Sequence, residues 1–206
     1  MNQVSTLGKI PKTARGLRTR EKLLQAAEIE FGEKGFHEAA VSGITYKAGV
    51  ALGTFYTYFE SKEEIFRALV SFMSQRTRRW IAERVADAPD RMTAERKGLE
   101  AYIEFARQHK GIYRIISEAE WVANDAYREH YTGFAKAYED NLRKAAEKGE
   151  IRQGDYEMWS WAIMGMAVTL GIKFAEWDDS IPVEEIARTA AELIASGIES
   201  NRTEKS

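Results

Sequence analysis

The spacing of apolar residues constrains this chain more than any other feature of its sequence. After residue 17, every long segment repeats its apolar side chains with a period of about 3.6 residues. Alternating runs rich in Val, Ile and Thr are absent. An α-helix has this period, whereas a strand alternates every two residues. The sequence therefore predicts an all-α fold of about nine helices.

Capping and breaking residues set the expected helix boundaries. Gly35 ends the first helix, and Ser61 with Glu64 three residues later forms a capping box for the fourth. Pro89 follows the end of that helix, and Pro182 suits the first turn of the last one. We expect helices at about 18–34, 41–48, 52–59, 62–86, 93–108, 111–121, 125–148, 156–177 and 182–201.

Composition narrows the class of protein. The absence of cysteine excludes a disulfide scaffold and thiolate zinc sites, and it fits a cytoplasmic protein. No run of 18 apolar residues occurs and the first residues are polar and basic, so we expect neither a membrane span nor a secretory signal. Residues 1–50 carry eight Lys or Arg against five Glu, whereas residues 71–206 carry twenty basic against twenty-four acidic residues. This asymmetry suits a polyanionic partner at one end only.

Residues 35–66 carry the clearest functional signal. They read GFHEAAVSGITYKAGVALGTFYTYFESKEEIF, which predicts two short helices around a glycine turn after a longer helix. That is the layout of a helix-turn-helix, whose second helix enters the DNA major groove. Five apolar residues can close a small core: Val41, Ile44, Val50, Phe55 and Phe59.

Several residues of this segment have the chemistry of DNA contacts. Gly53 lets the backbone approach a phosphate, and Lys62 lies in the first turn of the next helix, where an ammonium and the helix dipole both favour a phosphate. Four further side chains present hydroxyls to phosphates and base edges: Thr54, Tyr56, Thr57 and Tyr58. The alternative is an ordinary helical hairpin with exposed tyrosines.

The same segment resembles the TetR (tetracycline repressor-like) family of bacterial regulators. AGVALGTFYTYFESKEEIF is similar to that family's signature, in which a glycine turn leads into Gly-Thr-(aromatic or Leu)-Tyr-x-(Tyr or His)-Phe and Ser-Lys-Glu. AAEIEFGEKGF is similar to the end of the family's first helix, and the resemblance covers about residues 18–70. It implies a homodimer that reads a pseudo-palindromic operator in double-stranded DNA and releases it when a small molecule binds the C-terminal part. Ser42 matches a position that touches DNA in some family members.

The sequence departs from the family pattern at two helix starts. Ala39 and Ala40 stand where Thr or Ser usually caps the first short helix, and Ala51 and Leu52 stand where Ser-Lys usually opens the recognition helix. Each missing N-cap is worth about 1 kcal/mol. We therefore expect weaker or differently specific DNA binding.

These observations predict three parts. Residues 1–17 are expected to form a flexible basic arm, 18–62 the helix-turn-helix domain, and 63–206 a ligand-binding and dimerisation domain. In the arm, Lys9, Lys12 and Arg15 would contact the minor groove or the DNA backbone. The alternative is a solvated end without function.

Aromatic residues concentrate in the second half, where thirteen of twenty-three lie between Tyr102 and Trp177. Core packing explains any one of them, but the group predicts a pocket for a mainly apolar ligand. The candidate lining residues are Tyr102, Phe105, Tyr113, Trp121, Tyr127, Tyr131, Phe134, Trp159, Ile163, Met166 and Phe174. Arg114 and Arg128 suit the anionic group of a fatty acyl, acyl-coenzyme A or aromatic acid ligand, whereas Glu118 beside Trp121 suits a lipophilic cation.

Small and apolar residues in the last two helices predict a dimer interface. Paired across a two-fold axis, they would form a four-helix bundle. The candidate interface residues are Ala162, Gly165, Ile186, Ala190, Ile194 and Ile198. Packing within one chain is the alternative.

Nothing in the sequence favours an enzyme. The three histidines have no metal-ligand spacing, and neither a Gly-x-Ser-x-Gly elbow nor a phosphate loop occurs. We expect a transcriptional regulator without cofactor or metal, most simply a ligand-released repressor. A DNA-binding protein without a ligand, or an activator, remains the alternative.

Overall fold

The computed structural model describes residues 7–198. Within this range the chain forms nine α-helices and one π-helical segment, with no strand, so the all-α prediction is confirmed. The helices are α1 (Ala14–Glu38), α2 (Val41–Ala48), α3 (Leu52–Tyr58), α4 (Lys62–Val85), α5 (Arg91–Gln108), α6 (Ile112–Val122), α7 (Asn124–Glu147), α8 (Tyr156–Gly171) and α9 (Val183–Ile198). The π segment spans Ile172–Trp177. The expected end of the last helix near Asn201 lies outside the described residues.

The first helix begins earlier than predicted. The Thr13 hydroxyl accepts a hydrogen bond from the Gly16 amide at 3.1 Å and caps α1, which therefore starts at Ala14 rather than Arg18. Gly35 interrupts the helix as expected, because its φ of 78° is a conformation that favours glycine. One further helical turn follows it to Glu38.

The predicted helix over 156–177 changes type at its end. From Ile172 onward the turns widen to a π-helix, and the Asp178 amide bonds to the Lys173 carbonyl. The Arg107 guanidinium donates to the carbonyls of Phe174 and Ile181, at 2.8 and 2.6 Å. Arg107, which is distant in sequence, thus donates a hydrogen bond to a carbonyl of the π-helical segment.

The described chain divides into two compact units. The first comprises residues 7–76 and 110–130, and the second comprises 77–109 and 131–198. This division differs from the predicted boundary after residue 62, because the first part of α4, α6 and the start of α7 cluster with the helix-turn-helix. The assignment of residues 63–206 to ligand binding and dimerisation stays a prediction.

Aromatic rings form the centre of the first unit. The Phe66 ring contacts Phe31 and Phe36 edge-on, each with centroids 5.0 Å apart. Phe55 and Phe59 pack together beneath α3, and both are buried together with Ile44, as predicted. This core fixes α2 and α3 on the longer α1.

The second unit has its own apolar core, formed by α5, α7, α8 and α9. Its buried members are Leu99, Leu142, Ala145, Ala146, Ile151, Tyr156, Ile163, Ala187, Ala190, Ile194 and Ile198. The carboxylate of Glu95 is also buried here, where it accepts hydrogen bonds from Arg91 and from the Tyr138 hydroxyl. Burial raises the pKa of Glu95 despite the neighbouring Arg91.

One stretch of the described chain is more apolar on its surface than we expected. By length and composition alone, the 22 residues Tyr156–Trp177 would suffice to cross a membrane. Within these residues, only 22% of the most apolar 18-residue stretch is buried in the chain. The second unit therefore exposes an apolar helix surface.

Candidate DNA-binding surface and effector-binding region

The turn between α2 and α3 has the geometry that a helix-turn-helix requires. Gly49 ends α2 with φ 64° and ψ 38°, the left-handed conformation. Its amide bonds to the Tyr46 carbonyl at 3.1 Å, and the Val50 amide bonds to the Thr45 carbonyl at 3.0 Å. These bonds satisfy the last carbonyls of α2 and direct the chain into α3.

Helix α3 presents a polar face to solvent. Phe55 points into the core, whereas Tyr56 and Thr57 are exposed and Thr54 and Tyr58 are half-buried. A Cβ at Gly53 would meet nothing within 4 Å, so this position is open to an approaching group. The structure therefore brings the predicted α3 contacts to one accessible helix.

Helix α2 adds one residue that the sequence did not single out. Tyr46 is 88% exposed, and the predicted contact Ser42 is exposed on the same helix. The sequence alone predicts no role for Tyr46, and its exposure emerges only from the fold. Tyr46 joins the candidate DNA contacts.

The missing side-chain caps are confirmed, and a buried carboxylate serves the start of α2. Neither Ala40 nor Ala51 makes a side-chain capping bond. Instead Glu30, reaching across from α1, accepts a hydrogen bond from the Ala40 amide at 3.4 Å. Gly43 leaves room for it, because a Cβ there would overlap a Glu30 oxygen. A negative charge at a helix start is favourable, so Glu30 compensates for the absent cap.

Two lysines keep this carboxylate ionised. The Glu30 side chain is fully buried and accepts from Lys34 at 2.8 Å and from Lys47 at 2.9 Å. Burial alone would raise the pKa of Glu30, but these hydrogen bonds and the one from Ala40 outweigh it and lower the pKa to about 2. The hydrogen bond to Glu30, together with one to Glu33, raises the pKa of Lys47. Glu30, Lys34 and Lys47 thus form a cluster of three charges at the junction of α1 and α2.

Lys62 has a different role from the predicted phosphate contact. Its ammonium donates to the backbone carbonyls of Phe36, His37 and Ala39, at 2.8, 3.1 and 3.0 Å, so its three protons are engaged. It also lies 4.6 Å from the centre of the Phe36 ring. Lys62 therefore ties α4 to the end of α1. The capping bond from the Glu64 amide to Ser61 is present as predicted.

The described part of the N-terminal arm is bonded to the helix-turn-helix rather than free. We call Leu7–Thr13 the strap. The Lys9 amide donates to the Tyr58 carbonyl at 2.9 Å, and Arg20 donates to the Leu7 carbonyl at 2.6 Å. Lys9, Lys12 and Arg15 are exposed, although Arg15 belongs to α1. Residues 1–6 of the predicted arm lie outside the described range.

Helix α6 packs closely on α1 within the first unit. The backbones touch where Gly32 meets Gly111, and a Cβ on Gly111 would lie 2.6 Å from the Gly32 Cα. Glu118 accepts a hydrogen bond from the Phe36 amide at 2.7 Å, and Arg114 donates to the Glu33 carbonyl at 2.7 Å. Both charged groups were predicted to meet a ligand, but the structure engages them with α1 because the kink at Gly35 exposes backbone groups there.

The predicted ligand-lining residues fall in both units. Tyr113, Arg114, Trp121, Tyr127 and Arg128 belong to the first, and the remaining eight belong to the second. Trp121 is 85% exposed, so its predicted place in a pocket lining, and with Glu118 in a cation site, is not supported. Arg128 is also exposed.

In the second unit the predicted lining residues are more enclosed. Phe105 and Ile163 are buried, and the Phe105 ring stacks on His109 with centroids 4.1 Å apart. Tyr131 stacks on Trp161 with centroids 6.5 Å apart. The other members are half-buried: Tyr102, Phe134, Trp159, Met166 and Phe174. The pocket itself stays a prediction.

The predicted interface residues separate into two groups. Ile186, Ala190, Ile194 and Ile198 are buried within the chain, because α9 directs this face into its own core. They cannot supply an exposed contact surface, and their predicted role is corrected to core packing. Ala162 and Gly165 are exposed on α8 as an interface requires. Large apolar residues outside the prediction accompany them on α8 and α9: Met158, Trp161 and Leu193.

Comparison with known proteins decides the family. The profile described as bacterial regulatory proteins of the tetR family matches residues 23–69. The transcriptional regulator YvdT of Bacillus subtilis is 31% identical over 144 residues, which are 68% of this chain and 73% of that protein. The chain belongs to the TetR family. It is a DNA-binding transcriptional regulator, and the expectation that it is not an enzyme is confirmed by relatives that are regulators.

Other regulators resemble the chain over different lengths. The regulator YdgC of Bacillus subtilis is 46% identical over 66 residues, but the match spans only 34% of that protein. The fatty acid metabolism regulator protein of the same organism is 24% identical over 188 residues, 86% of this chain and 94% of the relative. A structure of FadR from Bacillus subtilis in complex with stearoyl-CoA superimposes with a TM-score of 0.74 at 23% identity, covering 87% of this chain and 99% of that one. This likeness establishes the shared TetR fold.

Proposed function

We propose that the chain is a homodimeric, cytoplasmic repressor that leaves its operator when a long-chain acyl ligand binds it. The observation that carries the DNA-binding part is the exposed face of α3, held by a buried core and a glycine turn. Hydroxyl groups on such a face can bond both phosphates and base edges. Ser42 and Tyr46 on α2 extend this surface.

The choice of an acyl ligand rests on two of the comparisons. One full-length relative is named a fatty acid metabolism regulator, and one protein of the same fold was solved with stearoyl-CoA. The enclosed aromatic residues of the second unit suit such an apolar chain. Aromatic acids and lipophilic cations rank below it, the latter because the Trp121–Glu118 pair does not form an enclosed site.

The contact between α6 and α1 offers a route for regulation. Because Glu118 bonds the kinked end of α1 and Gly111 touches Gly32, a shift of α6 would disturb the helix that carries α2 and α3. A ligand changes DNA affinity only if it binds the two arrangements with different affinity. We propose that the acyl ligand favours the arrangement that does not fit the operator.

A second copy of the chain is proposed to cover the exposed apolar surface of α8 and α9. Operators of this type have two half-sites, which a two-fold dimer matches. Trp161, Leu193 and Met158 are large apolar groups whose exposure in a single chain is unfavourable.

Ligand titration and transcription test the proposal separately. Stearoyl-CoA should change the emission of Trp159 or Trp161, while coenzyme A alone, benzoate and a quaternary ammonium salt should have much weaker effects. In transcription from a promoter that contains a duplex selected by the full-length protein, the protein should lower the yield and stearoyl-CoA should restore it. A rise in yield on adding the protein would identify an activator and contradict the repressor proposal.

A further inference from the structure

The strap lies against the last residue of the recognition helix. Its Lys9 amide bonds to the Tyr58 carbonyl, and Gly8 (φ 74°) rests on the Phe59 ring. A Cβ at Gly8 would lie 2.6 Å from a ring carbon of Phe59 and 2.8 Å from the Tyr58 oxygen. Only glycine fits this close contact with Phe59 and Tyr58. The contact holds the neighbouring Lys9 at the end of α3.

The strap is held at three further points. The Arg20 guanidinium donates to the Leu7 carbonyl and lies 5.3 Å from the centre of the Phe59 ring. Pro11 packs against Gly16, where a Cβ would lie 2.6 Å from the proline Cβ. Thr13 caps α1. The segment Lys9–Lys12 thus lies between the contacts of Leu7 and Gly8 on one side and the Thr13 cap on the other. All of these contacts belong to the unit that contains α3.

The exposed side chains of this span suit DNA. Lys9 and Lys12 flank Ile10, which is 68% exposed although apolar. Exposed Arg15 and Arg18 add two further cations at the start of α1, and the first acidic residue of the sequence is Glu21. Proteins that bind the minor groove combine basic groups with an apolar wedge such as Ile or Pro.

The position of the strap beside α3 indicates which DNA groove it would enter. Helix α3 has seven residues, so it is about 10 Å long, close to the roughly 12 Å width of the major groove. If α3 is laid across that groove, its end at Tyr58 comes to the phosphate backbone that separates the major from the minor groove. We propose that Lys9–Lys12 enters the minor groove beside each half-site, with Ile10 against the base edges and the two lysines near phosphates. This inference rests on the proposed reading of DNA by α3.

Inosine substitution distinguishes the two grooves. An I·C pair looks like A·T in the minor groove, because it lacks the guanine amino group, but like G·C in the major groove. Full-length protein would be measured on its selected duplex with A·T, I·C or G·C pairs flanking each half-site. We expect A·T and I·C flanks to bind equally and G·C flanks about 10-fold more weakly. Binding of I·C flanks as weakly as G·C flanks would overturn the proposal.

Variants assign the effect to the strap. Ile10→Ala should abolish the flank preference, and Lys9→Ala/Lys12→Ala should in addition lower the salt dependence of binding, since phosphate contacts release counterions. Gly8→Val keeps every charge but prevents the close contact of residue 8 with Phe59 and Tyr58. It should therefore also abolish the preference for A·T and I·C flanks, while the circular dichroism spectrum stays unchanged. Lys144→Ala/Lys148→Ala removes the same charge from the second unit and should bind like the wild type.

Two outcomes separate this inference from the proposed function. If the strap variants keep the wild-type flank preference and salt dependence, the strap does not touch DNA, while reading by α3 stands. If the wild-type protein binds none of the three duplexes, both proposals fail.

Discussion

The carboxylate of Glu30 lies where α1, α2 and two lysines meet, and the start of the helix-turn-helix depends on it. It is buried, it bonds the Ala40 amide, and Lys34 and Lys47 neutralise it. Removing one partner of a buried ion pair leaves the other charges uncompensated. We infer that Glu30 contributes more to the stability of this unit than a Ser or Thr cap would.

Glu30→Gln should lower the free energy of unfolding at pH 7 by about 3 kcal/mol. The pKa of Glu30 falls to about 2 from its ordinary 4.5, so its stabilising effect is present above about pH 4.5 and is lost as the pH falls toward 2. The difference between wild type and variant should therefore shrink over that interval in urea melts. Glu21→Gln, at an exposed site on α1, is the control. A difference that stays constant from pH 7 to pH 2 would contradict this role.

Lys62→Ala should destabilise the protein without changing the salt dependence of operator binding. Charged hydrogen bonds of this kind are worth about 2 kcal/mol, and the ammonium here bonds carbonyls of α1 rather than phosphate. Thermal melts and binding titrations from 50 to 200 mM salt would measure both quantities. A lower salt slope with unchanged stability would restore the phosphate contact that the sequence predicted.

At the scale of elements, α3 divides its side chains between structure and recognition. Tyr56→Phe should weaken binding to all duplexes about 5-fold, since it removes one hydroxyl from the exposed face. Thr54→Ala should instead change the preferred base at one position, where correct contacts discriminate by about 1–3 kcal/mol. Thr189→Ala on α9 is the control. Selection of binding sites from random DNA would show an unchanged motif for Thr54→Ala if this assignment were wrong.

The elements that sequence predicted best are those with local signals. The bounds of α2 matched, and Gly49 formed the turn, because a glycine in left-handed conformation needs only its neighbours. The end of the apolar helix did not match, because its π turns involve Arg107, which lies 67 residues away from Phe174. The roles of Lys62 and Glu118 were missed for the same reason: their partners on α1 are brought to them only by the fold.

At the scale of the whole molecule, the exposed apolar residues predict a dimer. The wild type should have twice the 23.4 kDa mass of one chain in light scattering, and Trp161→Glu/Leu193→Glu should be monomeric because charges would be buried at the interface. Deleting residues 182–206 is a less clean test, since it removes the core residues Ile186 and Ile194.

Trp121→Glu is the matched control for the dimer. Trp121 is at least as exposed as Trp161, yet it belongs to the first unit. This variant should remain dimeric and bind its operator normally. A dimer that survives Trp161→Glu/Leu193→Glu would place the interface elsewhere.

The central claim is that ligand binding and DNA binding oppose each other in one molecule. A coupling of about 3 kcal/mol corresponds to roughly 150-fold in operator affinity, which is sufficient for induction. By reciprocity, the operator must weaken ligand binding by the same factor. Both effects can be measured on the purified full-length protein and do not require knowledge of the regulated gene.

Operator affinity measured with and without stearoyl-CoA tests this claim most directly. Fluorescence anisotropy of a labelled, selected duplex should give a dissociation constant that rises about 150-fold at saturating stearoyl-CoA and stays constant with coenzyme A alone. Saturation is checked by tryptophan emission on the same samples. An unchanged dissociation constant, with the emission showing that the ligand is bound, would contradict the account.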